Sequence, residues 1–277
     1  MTALTQLRGS RELLSNLTMR EVRGKYKRTA LGQLWSLINP LAMMLIYTAV
    51  FGQVLKIQVP PGHPSGLKVF ALWLICALLP WNFLNSAISG GMGALVGNAN
   101  LIKKTYFPRE VLVAATVFSW DITLLTEMGV LALVLVAFGG MPLPWLPLVV
   151  VFIALLTLFA LGLGLALSVA NVYFRDTQHF VGILMQLWFY ATPIVYPITY
   201  VHDKAQHLKA RGWDIHLEFI YRLNPMERFT AVFRNLMYDN RWPTLGDSLY
   251  CVGAAVISVA IGYWLFMRFE GRMAEEL

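Results

Sequence analysis

Two carboxylates, Asp121 and Glu127, interrupt an apolar run near the middle of the chain. Acids at such positions are costly and point to ion transfer or to a hydrogen bond with a neighbouring helix. They stand six residues apart, so they do not share one helical face closely. Both readings stay open for them. The histidines, His63, His179, His202, His207 and His216, show no H-x-x-x-H or H-E-x-x-H spacing, and no metal site is expected. No G-x-x-x-x-G-K-[ST] run occurs, so the chain supplies no phosphate-cradling loop. Gly162-Leu163-Gly164 lies inside an apolar stretch, where small residues serve close helix packing. Cys76 and Cys251 also lie in apolar stretches and form neither a C-x-x-C pair nor a disulfide framework.

Aromatic residues are the other group with chemical meaning. Tyr47, Phe51, Trp73, Trp81, Trp188, Phe189, Tyr190 and Tyr196 fall within or at the ends of apolar runs. An interfacial aromatic belt accounts for some of them. A flat ring also packs against the C–H face of a sugar, weakly and with tolerance for sequence, as a moving polymer requires. Trp188-Phe189-Tyr190 stands next to Pro193 and Pro197 and favours that second use.

The elements that position these residues are membrane spans. Of 277 residues, 57% are hydrophobic and 13% charged, about half the charge of a soluble domain. Runs at roughly 35–56, 67–88, 111–138, 146–170 and 248–268 meet the requirement of about 20 apolar residues per crossing. A sixth run, roughly 180–198, carries Pro193 and Pro197 and is expected as a broken helix, fifth in chain order. The expected fold is therefore an all-α polytopic membrane protein of six spans. Residues 1–34 are expected to form a cytoplasmic N-terminal segment, and residues 35–277 a single six-span transmembrane domain.

Basic residues concentrate in segments that an internal N-terminus would place in the cytoplasm, including Arg20, Arg23, Lys25, Lys27, Arg28, Lys103, Lys104 and Arg109. The positive-inside rule then puts both termini in the cytoplasm. No cleaved signal peptide is expected in the polar, mixed-charge first segment. The net charge of +7 is better explained by orientation and anionic headgroups than by nucleic acid, which is not an expected partner. Leu13, Leu14, Leu17 and Val22, alternating with basic residues, suit an amphipathic helix at the membrane interface.

Two connecting segments stand out. In the loop 97–109, Asn98 is expected to cap a short helix, with Asn100, Leu101, Ile102, Lys103, Lys104, Tyr106, Phe107 and Pro108 following. Exposed apolar residues there would dock into a groove on a partner. The outer segment 199–247 is too polar to span, and Asn224-Pro225 opens a periodic stretch through Met226, Phe229, Val232, Phe233 and Leu236.

In four places the chain resembles the six-span permeases of type-2 ABC exporters, in the polysaccharide, O-antigen and teichoic-acid branch. They are the basic run Arg20 to Trp35 with Asn39-Pro40-Leu41, the segment Asn100 to Arg109, and the two stretches Asn171 to Asp176 and Gln186 to Pro197 taken together. Leu223-Asn224-Pro225-Met226, with Tyr221 and Arg234 around it, is the fourth. The external stretch 202–218 departs from the family pattern in length and charge.

The resemblance implies a homodimer with a central channel above two copies of a separate ATPase. That partner would bind ATP and Mg, and this chain no cofactor. It implies a substrate glycan on a polyprenyl diphosphate, exported across a bacterial inner membrane. It assigns ATPase coupling to Asn100–Pro108 and the glycan channel to Tyr47, Phe51, Trp73, Trp81, Trp188, Tyr190 and Tyr196. Headgroup contacts fall to Arg20, Arg23, Lys25, Lys27 and Arg28, and an outer gate to Asn224 and Pro225. Alternatives are a drug or other lipid exporter of the same class, an ion-coupled flippase using Asp121 and Glu127, and a membrane-embedded transferase, for which no carboxylate cluster is found.

Overall fold

The computed structural model describes residues 3–25, 27, 29–32, 34–57, 59–105, 107–201, 206 and 217–276. The described residues contain helices and no strand. In chain order the helices are α1 (Ala3–Lys25), α2 (Leu34–Tyr47, continued by a π-helical turn Thr48–Val54), α3 (Phe70–Gly97), α4 (Ala99–Lys104) and α5 (Glu110–Ala137). There follow α6 (Leu146–Tyr173), α7 (Thr177–Ala191), α8 (Leu217–Arg222), α9 (Pro225–Phe233, continued by a π-helical turn Arg234–Asp239) and α10 (Leu245–Glu276).

Among the described residues, five helical stretches are long and apolar enough to cross a membrane: Leu34–Val54, Phe70–Gly97, Glu110–Ala137, Leu143–Tyr173 and Leu245–Gly271. They coincide with five of the six expected runs. The remaining run behaves differently. Its helix, α7, has 15 residues, about 22 Å at 1.5 Å per residue, against a hydrocarbon core of about 30 Å. It stops because Thr192, extended at φ −104°, ψ 132°, precedes Pro193, whose ring disfavours helical geometry at the residue before it.

Helix α3 is the centre of the bundle, with an unbroken run from Leu72 to Trp81 buried. It packs on α5, α6, α7 and α9. Helices α6 and α10 meet backbone to backbone. A Cβ on Gly262 would overlap the Gly162 backbone, and one on Gly162 would overlap Ser258, whose Oγ donates to the Phe159 carbonyl at 2.8 Å. Two residues along, Gly164 faces α3 instead, meeting Gly91. The paired glycines thus serve two different crossings.

At the opposite end from the outer segment, a second core joins Leu17 of α1, Leu95 of α3, Ile102 of α4, Leu112 of α5, Leu165 of α6 and Phe266 of α10. The apolar side of α1 is therefore packed on protein. Its other side, with Arg11, Arg20 and Arg23, is exposed. Helix α2 is the outlier: Leu41, Met43, Leu45 and Ile46 are all exposed.

Candidate functional site

The break after α7 frees backbone groups that need partners, and three side chains supply them. Thr192 Oγ1 donates back to the Trp188 carbonyl at 2.8 Å. Asn224, at the N-cap of α9, accepts from the Met226 N–H at 3.0 Å, while its amide donates to Thr192 Oγ1 at 2.9 Å and to the Ala191 carbonyl at 3.3 Å. Arg234 donates to the Pro193 and Ile194 carbonyls at 2.7 Å each and lies 3.4 Å over the Trp73 ring of α3. The outer segment is thus fastened to the broken helix by an asparagine at one end and an arginine at the other.

The aromatic residues close on this frame. Trp188 donates its Nε1–H to Asn224 Oδ1 at 2.7 Å. Its ring stands edge-on to Trp81 at 5.7 Å between centroids. Phe189 meets Trp81 at 5.6 Å, stacks on Tyr47 at 5.8 Å and touches Tyr190 at 5.2 Å. Tyr47 in turn contacts Phe51 at 6.0 Å. Tyr196 donates to the Tyr190 carbonyl at 2.7 Å and lies 3.2 Å from the Tyr221 hydroxyl. Residues from α2, α3, α7 and the outer segment therefore form one contiguous patch. Its accessible part is Tyr190, which is exposed, with Tyr47, Phe51, Trp188 and Tyr196 half-buried.

The channel-lining expectation does not extend to Trp73 and Trp81. They are 5% and 4% exposed, so neither offers a free ring face to a sugar. Trp73 carries Arg234, and Trp81 backs Trp188 and Phe189. They support the accessible rings from behind.

The segment around α4 also differs from expectation. Ile102 is buried, and Leu101 and Phe107 are half-buried against the same core that holds α1. Of the apolar residues expected to dock on a partner, Ile102 is closed off and Leu101 and Phe107 are partly covered. The exposed residues are Asn100, Lys103, Lys104, Thr105 and Pro108, while Tyr106 lies outside the described residues. Asn98 makes no side-chain cap; instead its Oδ1 accepts from Arg20 Nη2 at 2.7 Å. Arg109 donates to the Glu270 carbonyl at 2.5 Å. The segment is thus tied to α1 on one side and to α10 on the other.

The basic residues near α1 separate in the same way. Arg20 is engaged by Asn98 and by Glu21 at 2.9 Å. Arg23 and Lys27 are exposed, and Arg28 and the stretch 207–216 lie outside the described residues. Lys25 turns inward, its ammonium 3.4 Å over the Trp120 ring. Burial holds the Lys25 ammonium down to about 7, with Glu21 and Glu127 pulling it back up. Of the two intramembrane acids, Asp121 accepts from Thr157 Oγ1 of α6 at 3.0 Å, the interhelical hydrogen bond considered for it. Glu127 lines a crevice of about 210 Å³ between α2, α3 and α5.

The role of Arg234 in tying down the helix break was not read from the sequence. The signal available was a lone arginine in the periodic apolar stretch between Phe233 and Leu236, a placement that demands a buried partner.

Residues 12–238 match the family described as ABC-2 type transporter. The chain is 30% identical over 272 residues to the O-antigen export system permease protein RfbA of Myxococcus xanthus, covering 98% of this chain and 95% of that protein. It is 29% identical over 274 residues to the protein of the same name from Klebsiella pneumoniae, covering 96% and 95%. The polysialic acid transport protein KpsM of Escherichia coli is 24% identical over 186 residues, covering 66% and 69%.

Proposed function

This chain belongs to the ABC-2 type transporter family, and from that premise we propose that it is the membrane permease of an ATP-driven polysaccharide exporter. The observation that carries the reading is the aromatic patch Tyr47–Phe51–Trp188–Tyr190–Tyr196, beside a broken helix fastened by Asn224 and Arg234. One exposed ring and four half-buried ones, backed by buried neighbours, suit weak, repeated contact with sugars. The names of the relatives from Myxococcus and Klebsiella support the same substrate class.

In this reading α7 and the turn after it complete a sixth crossing, and both termini face the cytoplasm of a bacterial inner membrane. Two copies of the chain enclose the channel. The exposed apolar faces of α2 and α7 (Leu41, Met43, Leu45 and Ile46; Ile183, Leu184, Leu187 and Tyr190) meet through the Tyr47–Phe189 stack and suit that association. Two copies of an ATPase chain bind ATP and Mg and press on the α4 segment through Lys103 and Lys104. Because that segment is bonded to α1 and α10, a push there is carried into the bundle. The glycan arrives on a polyprenyl diphosphate, whose charge is met by Arg23 and Lys27.

Deletion of the gene tests this. Surface polysaccharide should disappear while lipid-linked polymer accumulates inside the cell, and the wild-type chain should restore export. Unchanged surface polysaccharide in the deletion strain refutes the assignment.

A further inference from the structure

Beside α9 lies a second cavity, of about 270 Å³, bounded by α9 and its π-helical turn, the start of α10, the turn after α7 and Trp73 of α3. It is small beside the roughly 300–1,000 Å³ pockets that enclose drug-sized ligands. Its walls mix apolar surface with five charged side chains, more than line the crevices between the spans: Glu227, Asp239, Asp247, Arg234 and Arg241.

Most of these charges are already engaged. Asp247 accepts from Arg228, and from Thr244 Oγ1 at 2.6 Å. Asp239 pairs with Arg241 at 3.0 Å. Arg234 is directed at the backbone carbonyls described above. Glu227 differs. The residue is 7% exposed, and its Oε2 is buried without a hydrogen bond among the described residues. The Arg228 Nε stands 3.4 Å away from that oxygen. An ion pair at that distance offsets the desolvation of the oxygen only in part, and its hydrogen-bonding capacity is left unused.

The chemistry of the walls narrows the donor. A metal ion does not fit, since no group of three His, Cys, Asp or Glu side chains converges among the described residues. An anion would meet three carboxylates, and an apolar ligand would strand the polar walls. An uncharged polyol suits: its hydroxyls donate to carboxylate oxygens and accept from N–H groups.

We propose that this cavity is a saccharide subsite at the outer face, taking one neutral pyranose unit, with Glu227 Oε2 accepting from a ring hydroxyl. The proposal rests on the polysaccharide-export reading and adds a place where the emerging polymer is held by a single sugar.

The test uses the purified permease, assembled with its ATPase in lipid nanodiscs. Saturation-transfer NMR is recorded with methyl glycosides of glucose, galactose, mannose and N-acetylglucosamine. At least one glycoside should give a signal with the wild-type protein. Glu227→Gln should weaken that signal several-fold, and Ala231→Phe, which fills the cavity from its wall, should abolish it. A second readout needs no change to the buried groups. Thr199→Cys places a thiol on the exposed rim, and Cys76 and Cys251 are buried and do not compete. The same glycoside should slow its modification by a membrane-impermeant thiosulfonate. Absence of signal for all four glycosides, signals undiminished in both variants, or an unchanged rim-thiol rate overturns the subsite. Polysaccharide export is measured in parallel in cells. Export without glycoside binding sinks the subsite alone, whereas absence of export sinks the reading beneath it as well.

Discussion

Replacing Arg234 with methionine is expected to loosen the break after α7 and to abolish export. The substitution removes the donors to two carbonyls held at 2.7 Å, belonging to Pro193 and to Ile194, which is 0% exposed. A buried acceptor left unpaired costs about 1–3 kcal/mol. Arg234 is itself only part-buried, so the two together cost about 2–4 kcal/mol, toward the lower end of their sum. The stack on Trp73 is partly kept by the methionine side chain. For a chain of this size each kcal/mol shifts Tm by about 2–4 °C, so the expected fall is roughly 5–15 °C. Arg234→Lys should fall between, because an ammonium can reach a carbonyl but has neither the planar fork nor the stacking face. The assay is thermal unfolding of the detergent-purified protein followed by tryptophan fluorescence, with surface polysaccharide scored in cells. A methionine variant within about 2 °C of wild type refutes the claim that Arg234 carries the break.

The other expected outcomes concern separate links. Asn224→Leu removes the cap of α9 and strands the Trp188 indole N–H, so it should destabilise by about 2–4 kcal/mol and stop export; wild-type thermal stability would refute the network. Lys103→Glu with Lys104→Glu changes two exposed groups, so folding should be unaffected while export and co-purification with the ATPase both fall. Ile102→Asp should instead lower the yield of folded protein, since that side chain is buried. Gly262→Val should prevent the α6–α10 contact and leave little folded protein in the membrane, whereas Gly271→Ala, with open space around it, should be silent. Lys25 is held at about 7 against an ordinary 10.5. From about pH 7 to 10.5 the unfolded chain therefore binds more protons than the folded one, and stability rises with pH across that window. Below about 7 both states are protonated and the full penalty of burying the charge remains. Lys25→Met should flatten the dependence of Tm on pH; an unchanged slope would refute the inward placement.

Much of this protein is legible in one dimension because the bilayer imposes a one-dimensional constraint. About 20 apolar residues make a crossing whatever they pack against, so four candidate spans lie close to where hydropathy puts them, while α3 runs on past the expected end at 88 to Gly97. Gly162 as a close-packing residue follows likewise from local chemistry, whereas the cap expected at Asn98 is found instead at Asn224. Tertiary structure decided which face of each element is free. Hydropathy does not distinguish a ring that faces a passage from one that backs it, and Trp81 and Tyr190 differ only in what the neighbouring helices cover. The same holds at α4, where Leu101, Ile102 and Phe107 look equally fit for a partner until α1 and α5 close over them. Arg234 shows the limit most clearly. Its partners, Pro193, Ile194 and Trp73, lie 41, 40 and 161 residues away, and no local pattern encodes a bond between groups that only the folded bundle brings together.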